Sequence, residues 1–521
     1  MRNLHVVATA TRQPILHGID LELEPGRVLG IVGESGSGKS TLGLALLGYS
    51  RPGTAITKGS VMVDELDMLT LPPEDLRQAR GARVAYVPQD PGTALNPKLS
   101  LRTQLKEGMP GPEPLQAIRS ILRDVGLPDD DEFLGRKPRE LSGGQQQRIG
   151  IAMAVAPRPK AVVLDEPTTG LDVTTQRRVL DLVTSLTKAH GISAIYISHD
   201  LAVVAHVADD VAVMKDGLIV ESGPAQQVLT SPAHEYTKTL IAASPTLRSH
   251  LERVQSEPAS EAPVFTVSDL RASYGQHEVL HGIDFELRPG ECVAVVGESG
   301  SGKSTMSRSL IGLHAQTSGS ITLGGRPLST YARRRSRSDQ RRVQYIFQNP
   351  YASLQPRRTI GDSIAVAVRQ FGIARGEKAR QIAADVLERV ELPRDFVDRY
   401  PAELSGGQRQ RVAIARALAT QPEVLICDEI TSALDVSVQA AILKLLSRLH
   451  QEGLATVFIT HNLAVVSAIA DRVIVVEIGT VVESGPTPLL LTQPQARYTR
   501  QLLENTLDLD EVRLAGRRSD S

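Results

Sequence analysis

The octapeptide GESGSGKS occurs twice, at Gly33–Ser40 and at Gly297–Ser304. Each copy follows an apolar strand-like run, VLGIV or CVAVV, and opens a helix-like one, the context a phosphate-cradling loop requires. Glycine lets the backbone turn tightly and aim its N–H groups at phosphate oxygens. The cradles are assigned to Gly33, Glu34, Ser35, Gly36, Ser37, Gly38, Lys39, Ser40 and Thr41, and to Gly297, Glu298, Ser299, Gly300, Ser301, Gly302, Lys303, Ser304 and Thr305. Lys39 and Lys303 are placed to reach the β- and γ-phosphates of a nucleotide, and Ser40 and Ser304 to ligate Mg²⁺. The following helix N-terminus adds positive potential. A glycine-rich turn with a surface lysine is the plain alternative for a single match; two matches in this context make it negligible.

Two apolar strands, VVLDE and LICDE, end in the pairs Asp165-Glu166 and Asp428-Glu429. Neighbouring strand residues face opposite sides. Asp165 and Asp428 are expected to hold Mg²⁺, directly or through water, and Glu166 and Glu429 to polarise an attacking water. Alone, such a pair is an acidic strand end in solvent; the phosphate loops overturn that reading. Gln89 in YVPQD and Gln348 in IFQNP also close strand-like segments. A neutral amide can bind both Mg²⁺ and the water, and can lose those contacts when its loop moves. His199 and His461 end the strands AIYIS and TVFIT. A lone histidine is as often structural, but beside these groups each can contact the γ-phosphate and align the water.

The elements that must position these groups come as a duplication. LHGIDLELEPGRVLGIVGESGSGKST from Leu16 is matched by LHGIDFELRPGECVAVVGESGSGKST from Leu280, and Lys39 and Lys303 lie 264 residues apart. LSGGQQQR from Leu141 is matched by LSGGQRQR from Leu404. Each half runs strand, glycine loop, helix, then strands alternating with helices. The fold class is therefore α/β: two tandem domains, each a mostly parallel sheet core. Stretches such as EPLQAIRSILRDVGL add a helical subdomain. The seam, LERVQSEPASEAP, is polar and proline-containing, as linkers are. The first domain is placed at 1–250, the linker at 251–262 and the second domain at 263–521.

A chain of 521 residues has room for two such domains. Its hydrophobic fraction of 41% and charged fraction of 22% are ordinary for a globular protein. A net charge of −1 calls for neither nucleic acid nor an anionic surface. The two cysteines, Cys292 and Cys427, sit in apolar strand-like runs, which fits a reducing cytoplasm better than a disulfide framework. No apolar run is long enough to span a bilayer, and MRNLHVVATA lacks the pattern of a signal peptide.

These motifs together resemble the ATP-binding cassette (ABC) ATPases, of which LSGGQ is the signature. The resemblance covers nearly all of both halves and implies P-loop domains, each with an antiparallel β subdomain and a helical subdomain. It further implies two composite ATP sites. One would join the groups of the first half to Ser405, Gly406, Gly407 and Gln408; the other would join those of the second half to Ser142, Gly143, Gly144 and Gln145. Because LSGGQ precedes a helix, its serine hydroxyl and N–H groups can cap a γ-phosphate. Asp172 and Asp435 would border the same interface. A narrower resemblance is to the ATPase subunits of oligopeptide, dipeptide, glutathione and nickel importers. It rests on QDPGTALNP and QNPYASLQP after the glutamines, LDVTTQ and LDVSVQ after the acids, and the tails SPAHEYTKTL and QPQARYTRQLL, the second without the usual histidine-proline. That likeness implies a peripheral subunit at the cytoplasmic face of the inner membrane. Its partners would be two integral-membrane permeases and an extracytoplasmic substrate-binding protein, with no nucleic acid and no direct contact with the cargo. Peptides are the first expectation for that cargo, then glutathione or nickel.

The departures from the pattern are informative. Tyr274 fits the aromatic that stacks on adenine, but its counterpart is Ala10, so weaker adenine stacking is expected in the first half. Some relatives carry a cysteine cluster after the tail; with no cysteine there, no iron–sulfur cluster is expected. Asn462 stands where aspartate is usual, with little effect expected. The run YARRRSRSDQRR, Tyr331 to Arg342, holds six arginines and reads first as a solvated face, second as a contact for lipid headgroups or permease loops. The rival to the importer is a soluble tandem ABC ATPase acting on ribosomes or nucleic acid. The short linker and the absence of zinc-binding cysteines argue against it.

Overall fold

The computed structural model describes residues 1–109, 114–252, 262–349, 353–432 and 434–511. Most of the linker segment 251–262, and Pro350–Ala352 within QNPYASLQP, lie outside the described residues. The chain forms two compact units: Met1–Ser244 with Asp435–Ser437 and Leu507–Ser521, and Pro245–Leu434 with Val438–Thr506.

In the first unit a six-stranded sheet runs in the order Leu218–Pro224, Asp210–Lys215, Val28–Val32, Ser193–Ile197, Ala161–Asp165, Val84–Val87. The last five strands are mutually parallel, and the first is an antiparallel hairpin partner. Val28–Val32 and Ser193–Ile197 are buried at every position, as sheets covered on both faces must be, which is why they read as unbroken apolar runs. The second unit repeats the order, with Thr480–Pro486, Arg472–Glu477, Cys292–Val296, Ala455–Ile459, Val424–Asp428 and Val343–Ile346. Both cysteines are buried in its strands. Burial pushes the Cys427 thiol well above its ordinary pKa, which leaves it an inert core residue.

A smaller antiparallel sheet flanks each core, Pro14–Ile19, Arg2–Ala8 and Thr54–Ser60 in the first unit, and His277–Leu287, Phe265–Tyr274, Gln316–Leu323 and Arg326–Pro327 in the second. The helical subdomains follow: Leu101–Glu107, Pro114–Asp124 and Asp131–Gly135, then Ile360–Gln370 and Gly376–Arg389. Ile118, Ile121, Leu122 and Val125 are buried, the i, i+3, i+4, i+7 stripe of a helix lying on a core. Among the described residues no helix is long and apolar enough to cross a membrane.

The arginine run is not the uniform solvated face its composition suggests. Arg335 is buried and donates to the carbonyls of Ser329 and Leu310. Burial pushes its pKa down to about 10. Arg341 donates to the Thr420 carbonyl, and Arg342 forms an ion pair with Glu423. Arg333 and Arg334 lie over the exposed ring of Tyr331. Half of these arginines thus hold the fold together: the guanidinium groups of Arg335 and Arg341 donate to backbone carbonyls, and that of Arg342 pairs with a carboxylate.

Candidate active site

In an open parallel sheet, loops leaving the C-terminal ends of adjacent strands converge. Four such ends carry the chemistry in the first unit. Val28–Val32 leads into the glycine loop, Ser193–Ile197 to His199, Ala161–Asp165 to Asp165 and Glu166, and Val84–Val87 to Gln89. The second unit places Gly297–Ser304, His461, Asp428, Glu429 and Gln348 in the same way.

The glycine loops are packed tightly at their entry. A Cβ on Gly33 (φ +152°) would stand 2.2 Å from the Met214 carbonyl oxygen, and one on Gly297 (φ +155°) 2.2 Å from that of Val476. Only glycine fits so close an approach. Lys39 is buried and donates through Nζ to the carbonyls of Gly33 (2.7 Å) and Glu34 (2.8 Å). Lys303 does the same with Gly297 and Glu298, both at 2.7 Å. Burial lowers the Lys39 pKa, opposed by the carboxylates around it, Glu166 first. Each ammonium thus sits folded on its own loop, at the place where phosphate oxygens would compete for it.

The acid, amide and imidazole form one group in each unit. Gln89 donates through Nε2 to Glu166 Oε2 at 2.8 Å, and His199 Nδ1 lies 3.1 Å from Glu166 Oε1. In the second unit Gln348 donates to Glu429 at 2.6 Å, and His461 Nδ1 lies 3.6 Å from Glu429 Oε1. Burial opposes ionisation of Glu166, but the hydrogen bond and charge of His199 outweigh it, and the carboxyl stays below its usual pKa. For His199 burial opposes the charged ring, and Glu166 in turn raises its pKa above the ordinary value. Glu429 is also lowered, chiefly by the His461 hydrogen bond against burial. Both glutamates have positive φ, 49° and 48°, a left-handed conformation that costs a non-glycine residue energy. Their N–H groups donate to Ile197 O and Ile459 O, each at 2.9 Å, which holds that conformation.

The aspartates are separated from this group by their own partners. Ser40 Oγ donates to Asp165 Oδ1 at 3.2 Å, and Tyr86 OH to Oδ2 at 2.6 Å. Asp428 accepts from Tyr345 OH, as Asp165 does from Tyr86, and lies 3.2 Å from Ser307 Oγ, whose hydroxyl also has the Ser304 carbonyl at 3.0 Å. Ser307 aligns with Gly43 of the first half, which has no hydroxyl. Burial raises the Asp428 pKa, and the Tyr345 hydrogen bond works against that rise. The sequence reading missed both tyrosines. The signal was available, since each lies three residues before its glutamine, in YVPQ and YIFQ. It also missed Thr169, whose hydroxyl donates to Glu166 Oε2 at 3.1 Å.

The signature helices begin inside LSGGQ rather than after it, at Gly143 and Gly406. Ser142 and Ser405 are the N-caps. Each hydroxyl accepts from the N–H of Gln145 or Gln408 (3.3 Å), and each glutamine side chain returns the bond to the serine N–H. This reciprocal box satisfies helix-end donors and presents the serine and glycine backbone at the exposed tip. Asp172 caps the helix Val173–His190. Asn462 caps Leu463–Ile469 through the N–H groups of Ala464 and Val465, as Asp200 caps Leu201–Val207, so the exchange keeps the local geometry.

The base-binding positions differ between the units. Tyr274 is 49% exposed and stacks against His314, with ring centroids 4.3 Å apart and planes tilted by 31°. At that separation the two rings are in contact, and the exposed remainder of the tyrosine ring is free to meet a base. Ala10 lies in an exposed turn.

Comparison with known proteins agrees with this arrangement. Residues 16–169 and 280–432 each match the family model described as ABC transporter. Residues 220–266 match the oligopeptide/dipeptide transporter, C-terminal region. The chain is 40% identical to the peptidoglycan transport ATP-binding protein YejF of Agrobacterium fabrum, with 95% of this chain and 93% of that protein covered. It is 39% identical to the glutathione import ATP-binding protein GsiA of Salmonella typhimurium, with 94% and 86% covered. Among solved structures, an archaeal ribosome recycling factor, aABCE1, in complex with the ribosomal stalk protein aP1, is similar with a TM-score of 0.64 and 21% identity. The match covers 92% of this chain and 88% of that one. At that identity the likeness is one of fold alone.

Proposed function

The chain belongs to the ABC transporter family, and from that premise we propose that it is the ATP-hydrolysing motor of an importer, with two hydrolysis sites on one polypeptide. The observation that carries this reading is the repeated glutamine–glutamate–histidine group beside a buried phosphate-loop lysine. Glu166 and Glu429, held ionised by their histidines, accept a proton from the attacking water. His199 and His461 orient that water and the γ-phosphate. Gln89 and Gln348 now occupy one oxygen of each glutamate, and sharing that oxygen with water gives the site its on and off states. Lys39 and Lys303 transfer from loop carbonyls to phosphate oxygens when nucleotide enters.

The donor set suits Mg²⁺. Ser40 and Asp165 already place a hydroxyl and a carboxylate oxygen 3.2 Å apart, and hydroxyl, carboxylate and amide oxygens are the ligands a hard cation takes. Ser40, Gln89 and Asp165 would hold it in the first half, and Ser304, Gln348 and Asp428 in the second. When bound it neutralises charge on the phosphates.

The cargo class we propose is peptidic, from the transporter C-terminal region at 220–266 and the relatives named for glutathione import and peptidoglycan transport. On this reading the protein sits peripherally on the cytoplasmic face of the membrane, bound to two permeases, and a substrate-binding protein delivers the cargo. Affinity purification from detergent-solubilised membranes tests it. Two multi-span permeases and a binding protein carrying a peptide support the proposal. Ribosomal proteins without permeases overturn it and leave the ATPase chemistry standing.

A further inference from the structure

Each half carries a short tail motif, SPAHEYTKTL or QPQARYTRQLL, which the hydrolytic chemistry above does not use. In the first unit the two carboxylate oxygens of Glu221 accept the N–H groups of Ala233 (2.7 Å) and His234 (3.1 Å), fixing the turn before the helix Glu235–Ala243. In the second, Glu483 accepts those of Gln495 (2.8 Å) and Ala496 (3.0 Å) before the helix Arg497–Asn505. Both anchors aim one buried tyrosine at the phosphate loop of the same unit. The hydroxyl of Tyr236 accepts the Glu34 backbone N–H at 3.2 Å, and that of Tyr498 accepts the Glu298 N–H at 2.9 Å.

Glu34 and Glu298 are the residues whose carbonyls accept the loop lysines. Tyrosine and lysine therefore grip the two sides of one residue in each loop. A buried amide N–H needs a partner, and here the partner comes from some 200 residues away in sequence. The two tails differ elsewhere. His234 Nδ1 accepts the Tyr236 N–H, whereas Ala496 gives its helix no side-chain cap. Lys215 lies over the Tyr236 ring, and the aligned residue in the second half is Glu477. What both retain is the anchoring glutamate and the tyrosine hydroxyl on the loop.

We infer that Tyr236 and Tyr498 are positioning residues for nucleotide binding: each tail helix holds its own phosphate loop in the shape that aims the following amides at phosphate, so that the tail and the nucleotide are thermodynamically linked. The inference rests on the assignment of Gly33–Ser40 and Gly297–Ser304 as phosphate loops. Linkage is reciprocal, so a nucleotide that orders the loop also orders the tail helix.

The test uses Tyr236→Phe and Tyr498→Phe in the full-length chain. ATP binding is measured with the other site's lysine replaced by alanine, and backbone hydrogen exchange is followed over both loops and both tail helices, with and without ATP. Phenylalanine keeps the ring and its packing and removes the hydroxyl. Each variant is expected to weaken ATP binding at its own site about five- to tenfold, the cost of leaving a partly buried amide unpaired. It should also speed exchange in that loop and abolish ATP-dependent protection of that tail helix, with kcat at saturating ATP within about twofold of the parent. Unchanged binding and unchanged loop exchange in both variants overturn the inference. Lys39→Ala and Lys303→Ala separate the two failures. If neither weakens ATP binding, the loop assignment itself falls; if both do while the phenylalanine variants do not, only the role of the tyrosines falls.

Discussion

Removal of the Tyr274 ring separates the base-binding contribution from that of the phosphate loop. In the second unit Tyr274 packs against His314 at 4.3 Å and remains 49% exposed, so part of its ring is available to a purine. Stacking of a base on an aromatic ring contributes about 1–3 kcal/mol. With about 1.4 kcal/mol to a factor of ten, that is roughly five- to 140-fold in affinity. The first unit offers Ala10 in an exposed turn, and its site is expected to bind ATP more weakly by a factor in that range. Lys303→Ala isolates the first site and Lys39→Ala the second, and each is titrated with ATP and with inorganic tripolyphosphate. Tyr274→Ala should reduce ATP affinity at the second site to that of the first and leave tripolyphosphate unaffected, because the lysine and loop amides are untouched. Ala10→Tyr should move the first site the other way. Equal ATP affinities at the two sites of the parent chain, or an equal loss of ATP and tripolyphosphate on removing the ring, would refute the reasoning.

Glu429→Gln and Glu166→Gln should each lower turnover at their own site by about 10²- to 10⁴-fold while ATP binding is retained, the usual loss when a general base becomes an amide; single-turnover hydrolysis with the other site disabled checks this, and near-normal rates exclude the role. Gly33→Ala should abolish ATP binding at the first site and spare the second, since its Cβ would lie 2.2 Å from a backbone oxygen; binding within error of the parent would mean that the strand pair can part at little cost. Arg335→Ala should destabilise the protein by about 2–3 kcal/mol through two carbonyls left without their guanidinium donor, while Arg333→Ala on the exposed ring of Tyr331 should stay within about 0.5 kcal/mol. Denaturant unfolding compares the pair, and equal effects would show that the arginine run acts as one solvated surface after all.

The groups legible in the sequence share one property: each is defined by its immediate neighbours. Gly33–Ser40 links a strand to a helix, and Glu166 directly follows Asp165, the last residue of a strand, so local pattern is enough to place them. The groups that escaped are set by register and by long returns of the chain. Tyr86 reaches Asp165 because Tyr86 pairs with Val163 in the neighbouring parallel strand, and pairing of that kind leaves no mark in a run of apolar residues. Arg335 sat in a run whose composition suggested solvent, and only the fold shows carbonyls of Ser329 and Leu310 waiting for a donor. The helix start within LSGGQ was misplaced because glycine is a poor helix former, a preference overridden here by the serine–glutamine capping box.

Duplication turns the two halves into controls for each other. Where the repeats agree atom for atom in their contacts, the shared contact is what the site requires: Gln–Glu–His at the strand ends, lysine on the loop carbonyls, tyrosine on the loop amide. Where they diverge, the changes are Tyr274 against Ala10, Ser307 against Gly43, and the serine that joins the tyrosine on the aspartate, Ser40 on Asp165 but Ser307 on Asp428. Each aspartate has two hydroxyl partners: Asp165 has Ser40 on Oδ1 and Tyr86 on Oδ2, whereas Asp428 has Ser307 and Tyr345 both on Oδ2, and Asp165 is already paired with the serine expected to share the ion. The second half is therefore expected to hold the base more firmly, through Tyr274, and the first half to offer a serine and an aspartate already joined. Two sites so arranged are expected to differ in affinity for the base, and Ser307→Gly, which gives the second half the first half's glycine, should leave that difference in place while bringing the second site's Mg²⁺ dependence toward that of the first, as Mg²⁺ titration of each isolated site would show.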